Sequence, residues 1–365
     1  MHFSGRFSVL DRIAALRQKA FKEAKFDGYV VFNEVNLTYF TGFSGASALL
    51  IPEDGDSALF VYGTNYEMCK AQGAGLTVEL VKSGENLMDR IAQQAKVFGA
   101  KHLAVDALTV EGWQALAKSV GDEKKLGCGS SFVRELRMVK DNSEIELIRK
   151  AGKLASLGVK VAYEMVSPGV AEREVAAEIE YAMRKHGSDG TSFDTSVASG
   201  SNSAYPHGGC SDKKIREGDL VIVDLGAKYR LYNSDVTRTL VAGKPSEKQK
   251  KLHRIVLEAY EKAFDAIKPG VKACEVDAVG RRIVEDAGYG EFFVHGLGHG
   301  VGLEIHEPPT LSRSGKETLA AGNVVTNEPG IYLVGYGGVR VEDTVLVTKA
   351  GAEKLTEGPY ALGKQ

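Results

Sequence analysis

Cysteine is scarce in this chain: four residues in 365, Cys69, Cys128, Cys210 and Cys274, with no C-x-x-C pair among them. A disulfide framework and a thiolate zinc site are thereby excluded as organising devices, and a reducing compartment is expected. Long apolar runs are missing too; no stretch reaches the roughly 18 residues that a membrane-spanning helix requires. The opening MHFSGRFSVLDRIAALRQKA is amphipathic and charged, where a signal peptide would set a basic segment before an apolar one. A soluble, unsecreted, cytoplasmic protein is the expectation. There is no block of lysine or arginine and the formal net charge is −2, so neither nucleic acid nor an anionic membrane is an expected partner.

What is present is ordinary globular material, 43% hydrophobic and 26% charged, long enough for two cores. LDRIAALRQKAFKEAKF has helical apolar spacing, and DGYVVF and SALLIPEDGDSALFVY read as strands, the latter a pair joined by a turn at Asp54-Gly55. These elements predict a first α/β domain over 1–132, closing in the polar, glycine-containing DEKKLGCGSSF. A second domain over 133–365 opens with a long helix in NSEIELIRKAGKLASLGVKVAYEMV, where Ser143 and Glu146 have the spacing of a capping box.

The second domain carries an internal repeat. SPGVAEREVAAEIEYAMRKHG (167–187) aligns without gaps on KPGVKACEVDAVGRRIVEDAG (268–288), each a Pro-Gly turn feeding one helix. REGDLVIVDLG (216–226) matches AAGNVVTNEPG (320–330), which puts Asp224 on Glu328; SDVTRTLV matches VEDTVLV, which puts Asp235 on Glu342. Asp224 and Glu342 stand inside otherwise apolar strands, and Asp235 in a further segment that reads as strand. A single acid is most often a solvated surface group, but four acids paired by a repeat point to a site. Unpaired in a dry interior each would cost several kcal/mol, and together they carry about −4, which two divalent cations would neutralise. Oxygen-rich ligation suits manganese or cobalt over structural zinc. A nitrogen donor is expected in FVHGLGHGVGLEIHEPP (293–309), whose histidines His295, His299 and His306 read as one polar pocket. Gly296, Gly298, Gly300 and Gly302 argue that this segment is extended or looped.

The settings VDLG, YNSDVTRT, HGLGHGVGLEIHE, TNEPGIY and GGVRVEDT resemble the ligand motifs of the pita-bread (M24) metallopeptidases, specifically of aminopeptidase P and prolidase. The motifs span the second domain; in the first, NLTYFTGF (36–43) resembles a weaker signature of the same family. The resemblance implies an α/β (α+β) fold, a creatinase-like N-terminal α/β domain followed by a pseudo-twofold pita-bread catalytic domain. It implies two metal ions per chain, Mn2+ or Co2+ with Zn2+ as an alternative, held by Asp224, Asp235, His299, Glu328 and Glu342, with Asp235 and Glu342 bridging. Glu328 would also move a proton. His207, His295 and His306 match pocket histidines that bind substrate or relay protons, and Arg340 and Tyr332 match positions that support the site. The implied partners are a proline-containing peptide and a second copy of the chain, the first domain of one copy bordering the other's site.

Among activities, removal of an N-terminal residue preceding proline is placed first and Xaa-Pro dipeptidase second. The ordering rests on Thr310, which stands where some dipeptidases of the family carry an arginine for the substrate carboxylate; Arg313 lies three residues on. A creatinase-like hydrolase or a metal-free binding protein would lack the five ligands. Methionine aminopeptidase shares them but usually has no preceding domain of this size.

Overall fold

The computed structural model describes residues 9–24, 26–72 and 75–363, in two compact units that divide between Arg137 and Met138. In the first unit β1 (Gly28–Val31), β2 (Ala48–Pro52), β3 (Ala58–Tyr62), β4 (Thr77–Val81), β5 (Leu103–Val105) and β6 (Leu126–Cys128) form one mixed sheet in the order β4-β3-β2-β1-β5-β6. The expected hairpin joins β2 to β3, with Gly55 at φ 87° in its turn. The helices are α1 (Val9–Arg17), α2 (Glu34–Thr41), α3 (Gly63–Gln72), α4 (Leu87–Val97), α5 (Val110–Val120) and α6 (Ser130–Met138). β1 and β2 are buried at every residue, as strands covered on both faces are. Ile91 of α4 and Leu116 of α5 join Val30, Leu50 and Phe60 in that core. The expected boundary at 132/133 falls inside α6, the helix in which the two units also divide.

The second unit is built twice. Its first half contains α7 (Asn142–Met165), α8 (Glu172–Lys185), β7 (Gly190–Thr191), β8 (Ser196–Ser199), β9 (Leu220–Leu225), β10 (Ala227–Tyr229), β11 (Tyr232–Asn233) and β12 (Val236–Val241). Its second half contains α9 (Glu247–Ala266), α10 (Ala273–Asp286), β13 (Gly298–Gly300), β14 (Glu307–Leu311), β15 (Val324–Asn327), β16 (Gly330–Leu333), β17 (Gly337–Arg340), β18 (Asp343–Val347) and β19 (Ala352–Lys354). Antiparallel sheets ordered β12-β9-β8 and β14-β13-β15-β18-β19 take one helix pair each. Val159, Ile179 and Met183 pack on Val221, Val223 and Leu240 in one half; Val256, Val276 and Val284 pack with Val325, Val345 and Val347 in the other.

The repeat read in the sequence is a structural one. Gly169 and Gly270 turn at φ 91° and 86°, and Glu174 and Glu275 each accept the N–H that opens the following helix. Isolated bridges Ala171–Lys214 and Lys272–Thr318 recur at the same step. The hairpins differ in register: Asn327 faces Asp343, but Val223, the counterpart of Asn327, faces Arg238 in place of Val236. The slip is even, so side chains keep their faces.

Two expectations change. The capping box of α7 is formed by Asp141 and Glu144, not by Ser143 and Glu146: Asp141 Oδ1 accepts from the N–H groups of Ser143 (2.7 Å) and Glu144 (2.9 Å). An ionised acceptor at the helix start outcompetes a hydroxyl, and Tyr232 holds the buried Glu144 through a 2.8 Å hydrogen bond. Asp235 and Glu342 lie not inside strands but one residue before β12 and β18. No described helix is long and apolar enough to cross a membrane.

Candidate metal centre

The two halves hold each other's acids. Asp235 donates its N–H to Thr344 Oγ1 (2.9 Å), and that hydroxyl donates to the Asp235 carbonyl (2.8 Å). Reciprocally, Glu342 donates its N–H to the Thr237 carbonyl (3.1 Å), and Thr237 Oγ1 donates to Glu342 Oε2 (2.5 Å). Asp224 projects from β9, and Glu328 sits between β15 and β16 with its N–H on the Leu297 carbonyl (2.8 Å). Thr326 Oγ1 donates to Glu328 Oε1 (3.1 Å) and accepts from the His299 N–H (3.0 Å).

Ligand atoms of Asp235, His299 and Glu342 all lie within 4.8 Å of one another. His299 Nε2 is 3.4 Å from Glu328 Oε1 and 3.6 Å from Asp235 Oδ2. His299 Nδ1 contacts the Gly300 carbonyl at 3.1 Å; a carbonyl can only accept, so Nδ1 carries the proton. Burial lowers the His299 pKa, which keeps the ring neutral and turns the bare Nε2 lone pair toward two carboxylates. Lone pairs facing lone pairs call for a cation between them.

The carboxylates say the same. Asp224 Oδ1, Asp235 Oδ1 and Glu342 Oε1 are buried without a hydrogen-bond partner among the described residues. Burial, then the charges of Glu342, Asp224 and Glu328, push the Asp235 pKa well up. Glu342 is raised by burial and then by Glu328 and Asp224; Glu328 is raised by burial, against the pull of His295 and Arg340. One guanidinium answers four acids. Buried Arg340 reaches Asp224 Oδ2 (2.5 Å), Tyr332 Oη (2.9 Å) and Thr237 Oγ1 (2.9 Å). The Tyr332 hydroxyl, having accepted from Arg340, donates to His295 Nε2 (2.9 Å), while His295 Nδ1 binds the Gly296 carbonyl (2.7 Å). Orphaned buried oxygens with a histidine nitrogen aimed among them fit divalent cations.

His306 is exposed with its ring 4.3 Å from that of His299; burial, then His299, lowers its pKa, and His207 is near enough to add to that effect. Thr310 is exposed at the end of β14. Arg313 is also exposed and is tied to Glu285 of α10 at 2.7 Å, a set of partners separate from the acid cluster. The sequence reading overlooked Thr237, Thr326 and Thr344, the hydroxyls that hold the acids. A signal existed: the repeat places a threonine two residues after both Asp235 and Glu342.

The family profile of the creatinase/prolidase N-terminal domain matches residues 12–139, and that of metallopeptidase family M24 matches 146–349. An Xaa-Pro dipeptidase of Pyrococcus furiosus is 43% identical over 340 residues, 93% of this chain and 96% of that protein. The structure of an Xaa-Pro dipeptidase from Bacillus anthracis superposes with a TM-score of 0.92 at 38% identity, over 98% of this chain and 99% of the other. That of an X-Pro aminopeptidase from Thermotoga maritima gives 0.86 at 35%, over 94% and 99%.

Proposed function

This chain belongs to metallopeptidase family M24, with a creatinase/prolidase N-terminal domain ahead of its pita-bread domain, and we propose that it hydrolyses Xaa-Pro dipeptides. The carrying observation is the cluster of Asp235, His299 and Glu342 with its unpartnered carboxylate oxygens. Asp224, Asp235, His299, Glu328 and Glu342 would hold two divalent cations, Mn2+ or Co2+ by the hardness of the donors. Such ions supply an activated water near neutral pH and polarise the scissile carbonyl. Glu328 takes the proton released in the attack and returns it to the leaving proline nitrogen. Arg340 and Tyr332 hold Asp224 and His295 in place. His306, exposed with its ring 4.3 Å from that of His299, and His207, exposed and near enough to act on His306, bind the peptide and relay protons with Glu328. A homodimer belongs to this reading; light scattering that gives an active monomer would remove it.

The relatives favour the dipeptidase over the order drawn from Thr310: the Pyrococcus furiosus Xaa-Pro dipeptidase is 43% identical to this chain and the Thermotoga maritima X-Pro aminopeptidase 35%. One observation keeps the aminopeptidase in play: Arg313 is engaged by Glu285 and Thr310 offers no cation for a substrate carboxylate. Peptide length separates the two. A charge-assisted hydrogen bond to the proline carboxylate is worth about 1.5–3 kcal/mol. A dipeptidase should therefore show kcat/KM for Ala-Pro at least about tenfold above that for Ala-Pro-Ala. Equal or faster cleavage of the tripeptide at equal metal loading establishes the aminopeptidase instead. Arg313→Ala is expected to leave the ratio unchanged, since its guanidinium is held away by Glu285.

A further inference from the structure

We propose that Glu172 is a positioning residue, which staples both ends of the loop carrying His207 and acts on catalysis through that histidine. The proposal rests on the assignment of His207 to substrate under the proposed function. Glu172 opens α8 and is 1% exposed, yet among the described residues it forms no ion pair; its four side-chain partners there are hydroxyl and amide donors. Oε1 accepts from Ser199 N–H (2.8 Å) and Ser199 Oγ (2.7 Å), and Oε2 accepts from Ser211 N–H (3.0 Å) and Ser211 Oγ (2.6 Å). One carboxylate thus closes residues 199–211 into a ring, and His207 stands exposed at its far side in the turn where Gly208 N–H meets the Tyr205 carbonyl (2.9 Å). Lys213, whose carbonyl accepts the Glu172 N–H at 3.0 Å, reaches the Ser199 carbonyl (2.8 Å) and Asp219 (2.8 Å), bracing the same closure.

The internal repeat supplies a control. The counterpart of Glu172 is Ala273, at the same first position of its helix. Ala273 keeps the backbone bond, its N–H on the Glu317 carbonyl at 2.9 Å, beside the equivalent bridge. That half folds without a carboxylate at this position. The acid therefore serves what the first half has and the second lacks, the His207 loop. Further along, Ser203 Oγ accepts from the Gly338 N–H (2.9 Å), and a Cβ at Gly338 would come within 2.1 Å of the Ser203 carbonyl. The near side of the loop is docked on β17, and Cys210 Sγ, which accepts from the Val197 N–H (3.1 Å) and donates to the Thr195 carbonyl (2.9 Å), ties the residue beside Ser211, so the staple governs the stretch between these anchors.

Glu172→Gln keeps the shape but turns one acceptor oxygen into a donor, facing either Ser199 or Ser211. In the Mn2+-loaded enzyme it should lower kcat/KM for Ala-Pro by about 10- to 100-fold, the range seen when an orienting partner is lost. If Glu172 acts through His207, it should cost nothing more in a His207→Ala background. Additive losses would overturn the proposal, whereas a harmless His207→Ala would overturn the substrate role of His207. Amide exchange needs no turnover: Glu172→Gln should speed exchange over 199–211 at least tenfold and leave α9 and α10 unchanged. Unaltered exchange there overturns the staple whether or not peptides are cleaved. Faster exchange in a protein that cleaves no Xaa-Pro peptide sinks the peptidase reading alone. Should Glu172→Gln not fold, Ser211→Ala opens one end only and is read the same way.

Discussion

Asp235→Asn in the metal-loaded enzyme should lower kcat/KM for Xaa-Pro peptides about a thousandfold or more, and Glu342→Gln should do the same. Loss of a group that merely orients a ligand costs 10- to 100-fold, and these residues are the ligands themselves. Calorimetry should show the loss of at least one tight Mn2+ site per chain. Stability should move the other way without metal. Each substitution deletes one of several like charges that now raise one another's pKa values, so the metal-free variants should unfold at a higher temperature than the metal-free parent. A variant that binds and turns over like the parent would remove Asp235 or Glu342 from the ligand set.

The same charges set the pH dependence of the metal-free protein. Asp235, Glu328 and Glu342 have folded pKa values raised by burial and then by neighbouring acids, Asp224 acting on all three, so the folded state binds protons more tightly than the unfolded one. Their contribution is full below about pH 4, where unfolded Asp and Glu titrate, and is lost as pH rises through the raised folded values. Thermal melts of the chelated protein should fall with rising pH over that window. Cations bind the deprotonated carboxylates, so added Mn2+ should stabilise more as pH rises. A chelated protein that gains stability on deprotonation of these acids would contradict the clustering.

Asp343→Ala is expected to destabilise the second unit by about 3–5 kcal/mol, the cost of leaving a buried charge without its partner. Asp343 Oδ1 accepts from Arg238 Nη2 (2.9 Å) and Thr356 Oγ1 (2.8 Å), and Oδ2 accepts from the hydroxyls of Tyr260 (2.6 Å) and Tyr360 (2.6 Å). Neither charge of the pair is more than 1% exposed. Arg238 Nη1 donates to the carbonyls of Thr237 (3.0 Å) and Glu342 (2.6 Å) and Nε to that of Pro359 (2.9 Å), so the damage should extend to the metal ligands. For a unit of this size the melting temperature should drop by roughly 6–20 °C. A drop under about 2 °C would show that Arg238 finds other partners.

Much of this was legible in the chain because the second unit repeats itself. Aligning Asp224 with Glu328 and Asp235 with Glu342 required no structure, and glycines at 296, 298, 300 and 302 ruled out a helix around His299. The β2–β3 hairpin was equally open to reading, since Asp54-Gly55 interrupts two apolar runs. Choices between neighbouring donors were not. DNSEIE (141–146) offers two overlapping capping boxes, and only the packing of Tyr232 on Glu144 decides between them. Burial was hidden in the same way. Glu172 and Asp343 look like ordinary surface acids in sequence, and only their hydroxyl, amide and guanidinium partners reveal what they hold together.

The central claim is that hydrolysis depends on cations held among Asp224, Asp235, His299, Glu328 and Glu342. It is tested most directly by measuring kcat/KM for Ala-Pro after complete chelation, verified by elemental analysis, and again during titration with Mn2+. The account predicts that activity falls to background and returns in full at two equivalents per chain. Full activity in protein verified free of metal would contradict it.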